Sequence, residues 1–112
     1  MEQADFLEQK IFIDLKNVND GFDKKEIKHF SEWDFEVLLQ RAEHFGLGIY
    51  TIECWHDGQV VDIANHEDFN KKATDPLWYK KAFLTFKTRQ SGLSFCGTYK
   101  VSPKLLARKN FQ

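Results

Sequence analysis

The fold of this 112-residue chain is decided by the stretch GIYTIECWHDGQVVDI, which runs from Gly48 to Ile63. Its centre, Asp57-Gly58, is a strong signal for a two-residue hairpin loop, because a type I′ turn needs a positive φ at both central positions. Apolar and polar residues alternate around the turn, as they do in strands with one buried face. The stretch therefore predicts an antiparallel β-hairpin.

The turn also sets the register of this hairpin. The predicted pairs are His56–Gln59, Trp55–Val60, Cys54–Val61, Glu53–Asp62 and Ile52–Ile63. In this register the side chains that face the core are Ile52, Cys54, Val61 and Ile63. Cys54 is therefore predicted to be a small buried side chain and not a nucleophile.

The facing carboxylates of Glu53 and Asp62 are a catalytic candidate. Like charges opposite each other destabilise a sheet, so such a pair persists where it is solvated, bridged by a cation or held for chemistry. With His66 close behind in the chain, the pair indicates a small hydrolase or a small-ligand-binding protein as one hypothesis. The simpler alternative is a solvated sheet surface with a basic neighbour.

The same stretch resembles the opening hairpin of the GIY-YIG nuclease family. Residues 48–50 match the first triplet of that family, and residues 57–58 fall where the family turns its hairpin. The resemblance implies a metal-dependent nuclease site, but the chain departs from the pattern further on. Residues 61–64 replace Tyr-Ile-Gly, residues 65–72 contain no Arg, and no Glu follows Glu67. Because the Arg and the metal ligand have no counterpart, we do not expect nuclease activity.

A helix is predicted before the hairpin. Ser31 followed by Asp34 resembles a capping box, and Gly46 provides a stop. The apolar face of this helix is Phe35, Leu38, Leu39, Ala42 and Phe45. Residues 4–18 fit either a helical stripe or an alternating strand, and their composition favours a helix that stops at Gly21.

After the hairpin, residues 65–81 are predicted to be a connector with short helical pieces, one of them capped at Asp75-Pro76. Alternation then predicts a second hairpin over residues 82–101, with a turn near Gly92. Its inner face would consist of Ala82, Leu84, Phe86, Phe95, Tyr99 and Val101. A short helix is expected after Pro103.

These elements predict one α+β domain over residues 1–112. The expected sheet is single and antiparallel, with four to five strands from two hairpins and with helices packed on one face. Two cysteines make no disulfide framework, and no leader or membrane-length apolar segment is visible, so we expect a cytoplasmic protein without membrane contact. The four histidines lack metal-ligand spacing, so neither a metal nor another cofactor is predicted.

Charge is divided unevenly along the chain. Residues 1–70 contain 16 acidic and 6 basic residues, whereas residues 71–112 contain one acid and 10 bases. Such asymmetry indicates either separate interaction surfaces or two halves that interleave and neutralise each other in the fold.

The outer face of the second predicted hairpin would carry Lys87, Arg89 and Lys100 together with Phe83. Cations beside an exposed aromatic ring suit phosphate backbones and stacked bases, so nucleic-acid binding is one hypothesis. The flanking basic residues are Lys80, Lys81, Lys104, Arg108 and Lys109.

The helix that follows Ser31 carries an acidic stripe with Glu32, Glu36 and Glu43. Such a stripe can bind a basic protein, as in small inhibitor, immunity or adaptor proteins. We therefore expect a non-enzymatic binding protein, with a protein partner favoured over nucleic acid. The opposite charges of the two surfaces also permit a homodimer.

Overall fold

The computed structural model of the protein describes residues 1–107. The strands are β1 (Phe30–Ser31), β2 (Gly48–His56), β3 (Gln59–Asn65) and β4 (Ser94–Lys100). The helices are α1 (Gln3–Phe6), a π-helical turn (Leu7–Ile11), α2 (Glu32–Phe45), a 3-10 turn (His66–Phe69), α3 (Pro76–Arg89) and α4 (Pro103–Ala107). The strands form one antiparallel sheet in the order β1-β4-β2-β3, which confirms the predicted α+β class and the four-stranded sheet.

The first predicted hairpin is formed by β2 and β3. Its turn has positive φ at both Asp57 (50°) and Gly58 (76°), as a type I′ turn requires. The pairs nearest the turn follow the predicted register, but a β-bulge then shifts it, so that Cys54 pairs with Asp62 and Val61 is an extra residue. An extra residue reverses the side-chain faces beyond it, so the predicted core positions Val61 and Ile63 are wrong: both lie about half exposed, at 49% and 51%.

The two predicted N-terminal elements are helices. Ser31 caps α2 by accepting a hydrogen bond from the Asp34 amide at 3.3 Å, and Gly46 ends it in the left-handed conformation, as predicted. The capping box is only half formed among residues 1–107, because the Asp34 carboxylate accepts a hydrogen bond from the Lys16 amide. Residues 3–11 are helical rather than extended, so the favoured alternative for the N-terminus is confirmed there. The predicted stop at Gly21 is wrong, because the helical segment ends at Ile11.

The second predicted hairpin is wrong in its first half. Asp75 does cap a helix, by accepting a hydrogen bond from the Leu77 amide, but that helix continues as α3 to Arg89. Its buried residues follow a helical spacing: Trp78, Tyr79, Ala82, Phe83 and Phe86. Leu84, expected in the core, is 54% exposed. Only the returning strand, β4, exists as predicted, and it pairs with β1 and β2.

The sheet has two chemically different sides, named here after adjacent residues of β4 that point to opposite faces. On the Phe95 side, the Phe95 ring stacks on Phe35 of α2 at 5.3 Å and meets Phe83 of α3 edge-on at 5.0 Å. Cys54 pairs with Phe95 and is 1% exposed, which confirms its predicted burial. That every helix packs on one face stays a prediction.

The Cys96 side carries Glu53 and Trp55 of β2 and is covered by residues 17–29. Asn19 organises this segment, since its side-chain amide donates to the carbonyl oxygens of Asp23, Lys24 and Ile27 and its side-chain oxygen accepts from two backbone amides. The Phe22 ring then packs against Trp55 at 5.8 Å. The segment therefore forms an ordered cover over this side of the sheet. Three of its residues, Val18, Asp20 and Phe22, also line a cleft at the end of the sheet.

Candidate functional site

A cleft of about 760 Å³ opens at the end of the Cys96 side that is nearest the hairpin turn. It lies between the covering segment, the start of α2, the β2–β3 turn and residues 92–94. Its aromatic walls are Phe22, Trp33 and Trp55. The volume is large enough to accept a side chain of a bound partner.

Trp33 is the most exposed large apolar side chain of the described chain, at 81%. It occupies the second residue of α2, where the Ser31 cap fixes the first turn but no core lies beneath. No ring contact holds Trp33 in the described residues. Exposure of an indole to this extent costs hydrophobic free energy and marks surfaces that bind partners.

Trp55 forms a fixed wall of the same cleft. Its indole nitrogen donates to a carboxylate oxygen of Glu53 at 2.9 Å, and its ring meets His29 edge-on at 5.0 Å. Phe22 packs against the same ring. The cleft therefore contains two indoles: Trp55, whose ring is fixed by a hydrogen bond and two ring contacts, and Trp33, which is positioned by its backbone alone.

The rim of the cleft is acidic. Asp20, Glu32 and Asp57 line it, and within residues 1–107 none of these carboxylates forms an ion pair with a lysine or an arginine. The only titratable group of opposite sign in the lining is His56, whose Nε2 lies 3.3 Å from Asp57. Uncompensated carboxylates beside aromatic faces produce a negative potential that attracts cations.

The predicted catalytic group does not assemble. Glu53 pairs with Ile63 and lies on the Cys96 side, whereas Asp62 pairs with Cys54 and lies on the Phe95 side. The bulge thus removes the like-charge contact that the unbulged register would create. Asp62 instead binds Arg89 at 3.1 Å, and the His66 Nδ1 lies 2.7 Å from the carbonyl oxygen of Lys71.

Glu53 meets a thiol rather than a second carboxylate. The Cys96 sulfur donates to the same Glu53 oxygen that Trp55 binds, at 3.6 Å. Burial, and then the negative charge of Glu53, raises the pKa of the Cys96 thiol above its ordinary value. Beside them, Asp23 and His29 complete a set of side chains of the types that ligate metal ions.

The predicted basic face is also absent, because the hairpin that would present it is not formed. Phe83 is 4% exposed and belongs to the core. Lys87 and Arg89 lie in the last turn of α3, where Lys87 binds Glu36 at 3.1 Å and Arg89 binds Asp62. Lys100, on β4, is exposed. Two of the flanking residues, Arg108 and Lys109, lie outside the described residues.

The predicted acidic stripe is divided between two environments. Glu36 and Glu43 pair with Lys87 and Lys80 of α3, so these positions neutralise each other within the fold. Glu32 faces the cleft instead and adds to its rim. The acidic and basic halves of the sequence therefore interleave at the α2–α3 contact, and Glu32 is the member of the stripe that stays without an ion pair among residues 1–107.

Sequence reasoning missed the cleft residues Asp20, Phe22 and Trp33, together with Asp23 and His29 of the neighbouring cluster. One signal was available for Trp33, which lies off the apolar stripe of α2 between two acids. The others belong to residues 17–29, which show no periodicity. Their positions depend on hydrogen bonds made by Asn17 and Asn19.

None of the helices in residues 1–107 has the length and apolar character that a bilayer span requires. No family model matches this chain, and neither does any curated protein or solved structure.

Proposed function

We propose that this protein binds a positively charged segment of a protein partner in the cleft between Trp33 and Trp55. The observation that carries the proposal is the combination, in one cleft, of two indoles with three carboxylates that form no ion pair with a lysine or an arginine among residues 1–107. The proposal narrows the partner surface expected from the acidic stripe to this cleft, with Glu32 on its rim.

The chemistry of the lining favours an arginine or lysine side chain as the inserted group. A cation over an indole face gains about 0.5–1 kcal/mol at exposed sites and about 2 kcal/mol when desolvated. Arginine fits best, because its planar guanidinium can stack on Trp55 and also donate to a carboxylate on the rim. Asp20, Glu32 and Asp57 surround the opening and would pair with neighbouring basic residues of the same segment.

Partner binding also accounts for the exposed indole. Trp33 would bury most of its surface against the bound segment, and aromatic side chains of this kind supply a large share of interface free energy. Because Trp33 is held only by its backbone, its ring can adjust to the partner while Trp55 stays fixed. The cleft therefore presents one fixed aromatic ring, that of Trp55, and one ring that can change its orientation, that of Trp33.

A nucleic-acid ligand has less support. The cleft carries negative charge, which repels phosphates, and three of the four basic residues of α3, at positions 80, 87 and 89, form ion pairs with carboxylates of the same chain.

The test is fluorescence anisotropy of labelled peptides with the purified protein. We expect an arginine-rich peptide to bind, and the same peptide with Gln at every Arg position to bind far more weakly. Trp33→Ala should weaken binding by about 5- to 30-fold, because the variant loses the aromatic surface that Trp33 buries against the segment. Binding should also weaken as salt is raised, because the rim charges become screened.

Leu84→Ala is the matched control, because Leu84 is a large exposed apolar side chain, at 54%, that lies on α3 outside the cleft. It should leave the affinity unchanged. Equal affinity of Trp33→Ala and the unmodified protein would overturn the proposal, as would equal binding of the Gln-substituted peptide. Tighter binding of a labelled single-stranded RNA than of the arginine-rich peptide would favour the nucleic-acid alternative.

A further inference from the structure

We propose that Asp23, His29, Cys96 and Glu53 form a zinc-binding site beneath the covering segment on the Cys96 side of the sheet. The sequence predicted no metal, because these four residues are distributed over 74 positions with no short ligand motif. The inference stands on the geometry of the cluster and does not depend on the peptide-binding proposal.

The sheet brings three of the four side chains together. Glu53 of β2 and Cys96 of β4 are direct cross-strand partners. Phe30 of β1 pairs with Phe95 in an antiparallel ladder, so His29, one residue before Phe30, lies beside Cys96. Glu53, Cys96 and His29 therefore form a row across neighbouring strands on one face.

The covering segment delivers the fourth side chain. Asn19 accepts a hydrogen bond from the Asp23 backbone amide and holds the following turn. Asn17 accepts from the His29 amide at 3.0 Å, which ties the far end of the segment to its beginning. Asp23 is thereby fixed over the row, with a carboxylate oxygen 2.7 Å from the His29 Nε2.

The donor atoms have the spacing of a metal site. One ligand atom each from Asp23, His29 and Cys96 lie within 4.8 Å of one another. Glu53 does not belong to this close group, but one of its carboxylate oxygens lies 3.6 Å from the Cys96 sulfur. In a tetrahedral zinc complex, bond lengths of about 2.0–2.3 Å place neighbouring ligand atoms roughly 3.3–3.8 Å apart. The Asp23–His29 contact would have to open by less than about 1 Å, and the wider separations among Asp23, His29 and Cys96 would have to contract by about 1 Å or less.

An unpartnered polar atom supports the assignment. His29 is fully buried, and its Nδ1 has no hydrogen-bond partner among residues 1–107. Leaving a buried polar atom unpaired costs about 1–3 kcal/mol, so such an atom calls for a partner. Zinc bound through Nδ1 would provide that partner directly, whereas zinc bound through Nε2 would take the place of the Asp23 contact and leave Nδ1 unpaired.

The donor set selects the class of metal. A thiolate, an imidazole and two carboxylates match zinc, which accepts sulfur, nitrogen and oxygen ligands in one tetrahedral site. Magnesium and calcium prefer oxygen ligands alone. Zinc would bind with loss of the Cys96 thiol proton to solvent, so the 2+ ion would be surrounded by one thiolate and two carboxylates. Phe22 and Trp55, whose rings lie 4.8 and 5.0 Å from that of His29, would shield the site from water.

Calorimetric titration of the chelator-treated full-length chain with zinc chloride tests the site. We expect one equivalent of zinc to bind, with release of about one proton per ion, measured by comparing buffers of different ionisation enthalpy. Cys96→Ser should weaken binding by about tenfold or more, because loss of a thiolate removes a strong ligand. Cys54→Ser is the matched control: it alters the other buried thiol, on the Phe95 side, and should leave the affinity unchanged.

Cobalt(II) gives a readout that does not need the Cys96 variant to fold. The unmodified protein and Cys54→Ser should both show a thiolate-to-cobalt charge-transfer band. The absence of this band in Cys54→Ser would overturn the assignment, because Cys96 would then not be a ligand. Absence of zinc binding to the unmodified chain, or equal zinc affinity in a folded Cys96→Ser protein, would overturn it as well.

Discussion

The two sides of the sheet are stabilised by different interactions. On the Phe95 side, α2 and α3 contribute aromatic rings that stack on Phe95 and exclude polar groups almost completely. On the Cys96 side, an irregular segment covers a row of polar side chains through hydrogen bonds made by two asparagines. Hydrophobic burial therefore specifies the first side, and hydrogen bonding specifies the second.

This difference explains where the candidate sites lie. A close-packed aromatic layer leaves no room for a ligand and tolerates few changes of volume. The Cys96 side keeps a buried histidine and a buried thiol in contact with carboxylates, and it opens at one end into the cleft. Both proposals, the peptide cleft and the zinc site, consequently fall on the side where polar side chains are buried next to the sheet.

The largest expected effect comes from truncating Phe95. Its ring is fully buried between Phe35 and Phe83, so Phe95→Ala creates a cavity and should lower the free energy of unfolding by about 3–5 kcal/mol. Cys96→Ala, one residue away on the other side, removes a single heavy atom and should cost about 1 kcal/mol in the presence of a chelator. Urea unfolding followed by circular dichroism measures both. Equal losses for the two variants would contradict the proposed division between the sides.

A smaller effect is expected from Tyr79, one helical turn before Phe83 on the Phe95 side. Its hydroxyl is buried and has no hydrogen-bond partner within residues 1–107. Removing an unpaired buried polar group relieves a desolvation penalty, so Tyr79→Phe should raise the free energy of unfolding by about 1 kcal/mol near neutral pH.

The same residue gives a pH dependence of known sign. Burial, and then the negative charges of Glu43 and Asp75, raises the pKa of Tyr79 above its usual value near 10. The unfolded chain therefore loses this proton first, and stability falls as the pH rises above about 10. In Tyr79→Phe this part of the alkaline loss should be absent, and urea unfolding between neutral and alkaline pH would show a flatter curve. An unchanged alkaline slope would show that the hydroxyl is solvated in the native state.

Much of the Phe95 side could be predicted from the sequence, because its signals are local and periodic. The Asp57-Gly58 turn and the Ser31 cap of α2 were both predicted correctly. The segment 82–89 was misread, since Ala82, Leu84 and Phe86 alternate as in a strand while Trp78, Ala82 and Phe86 also recur at helical spacing. Length decides between the two: a helix that is already capped at Asp75 gains hydrogen bonds by continuing.

The bulge in the hairpin could not be read from the turn. A hairpin without a bulge would place Glu53 opposite Asp62. In the folded sheet, Glu53 instead accepts hydrogen bonds from Trp55 and Cys96. Asp62 pairs with Arg89, and none of these contacts can be read from the turn sequence. The arrangement of the Cys96 side could not be predicted either, because it also depends on contacts between residues that are distant in the sequence. Its ligands and cleft walls come from residues 17–29, whose order depends on side-chain hydrogen bonds of Asn17 and Asn19 rather than on periodic burial.

The smallest expected effect concerns the charges between the helices. Glu36 and Lys87 join α2 to α3 at 3.1 Å, with side chains 46% and 26% exposed. A double-mutant cycle with Glu36→Gln and Lys87→Met should give a coupling free energy below about 1 kcal/mol, because partly exposed ion pairs are screened by water. Lys87→Met alone should cost more than Glu36→Gln alone, since Lys87 also lies 4.8 Å above the Phe83 ring.

Raising the salt concentration separates the two ways in which Lys87 contributes to stability, its ion pair with Glu36 and its contact with the Phe83 ring. In about 1 M salt, where the screening length falls to about 3 Å, the coupling to Glu36 should nearly vanish. The packing of the lysine stem and its contact with the Phe83 ring should persist, because they depend on burial at the edge of the aromatic layer. A coupling of several kcal/mol that survives high salt would mean that charge, and not aromatic packing, holds α2 against α3. The Phe95 side could then no longer be described as stabilised mainly by hydrophobic burial, because charge would hold its two helices, α2 and α3, together.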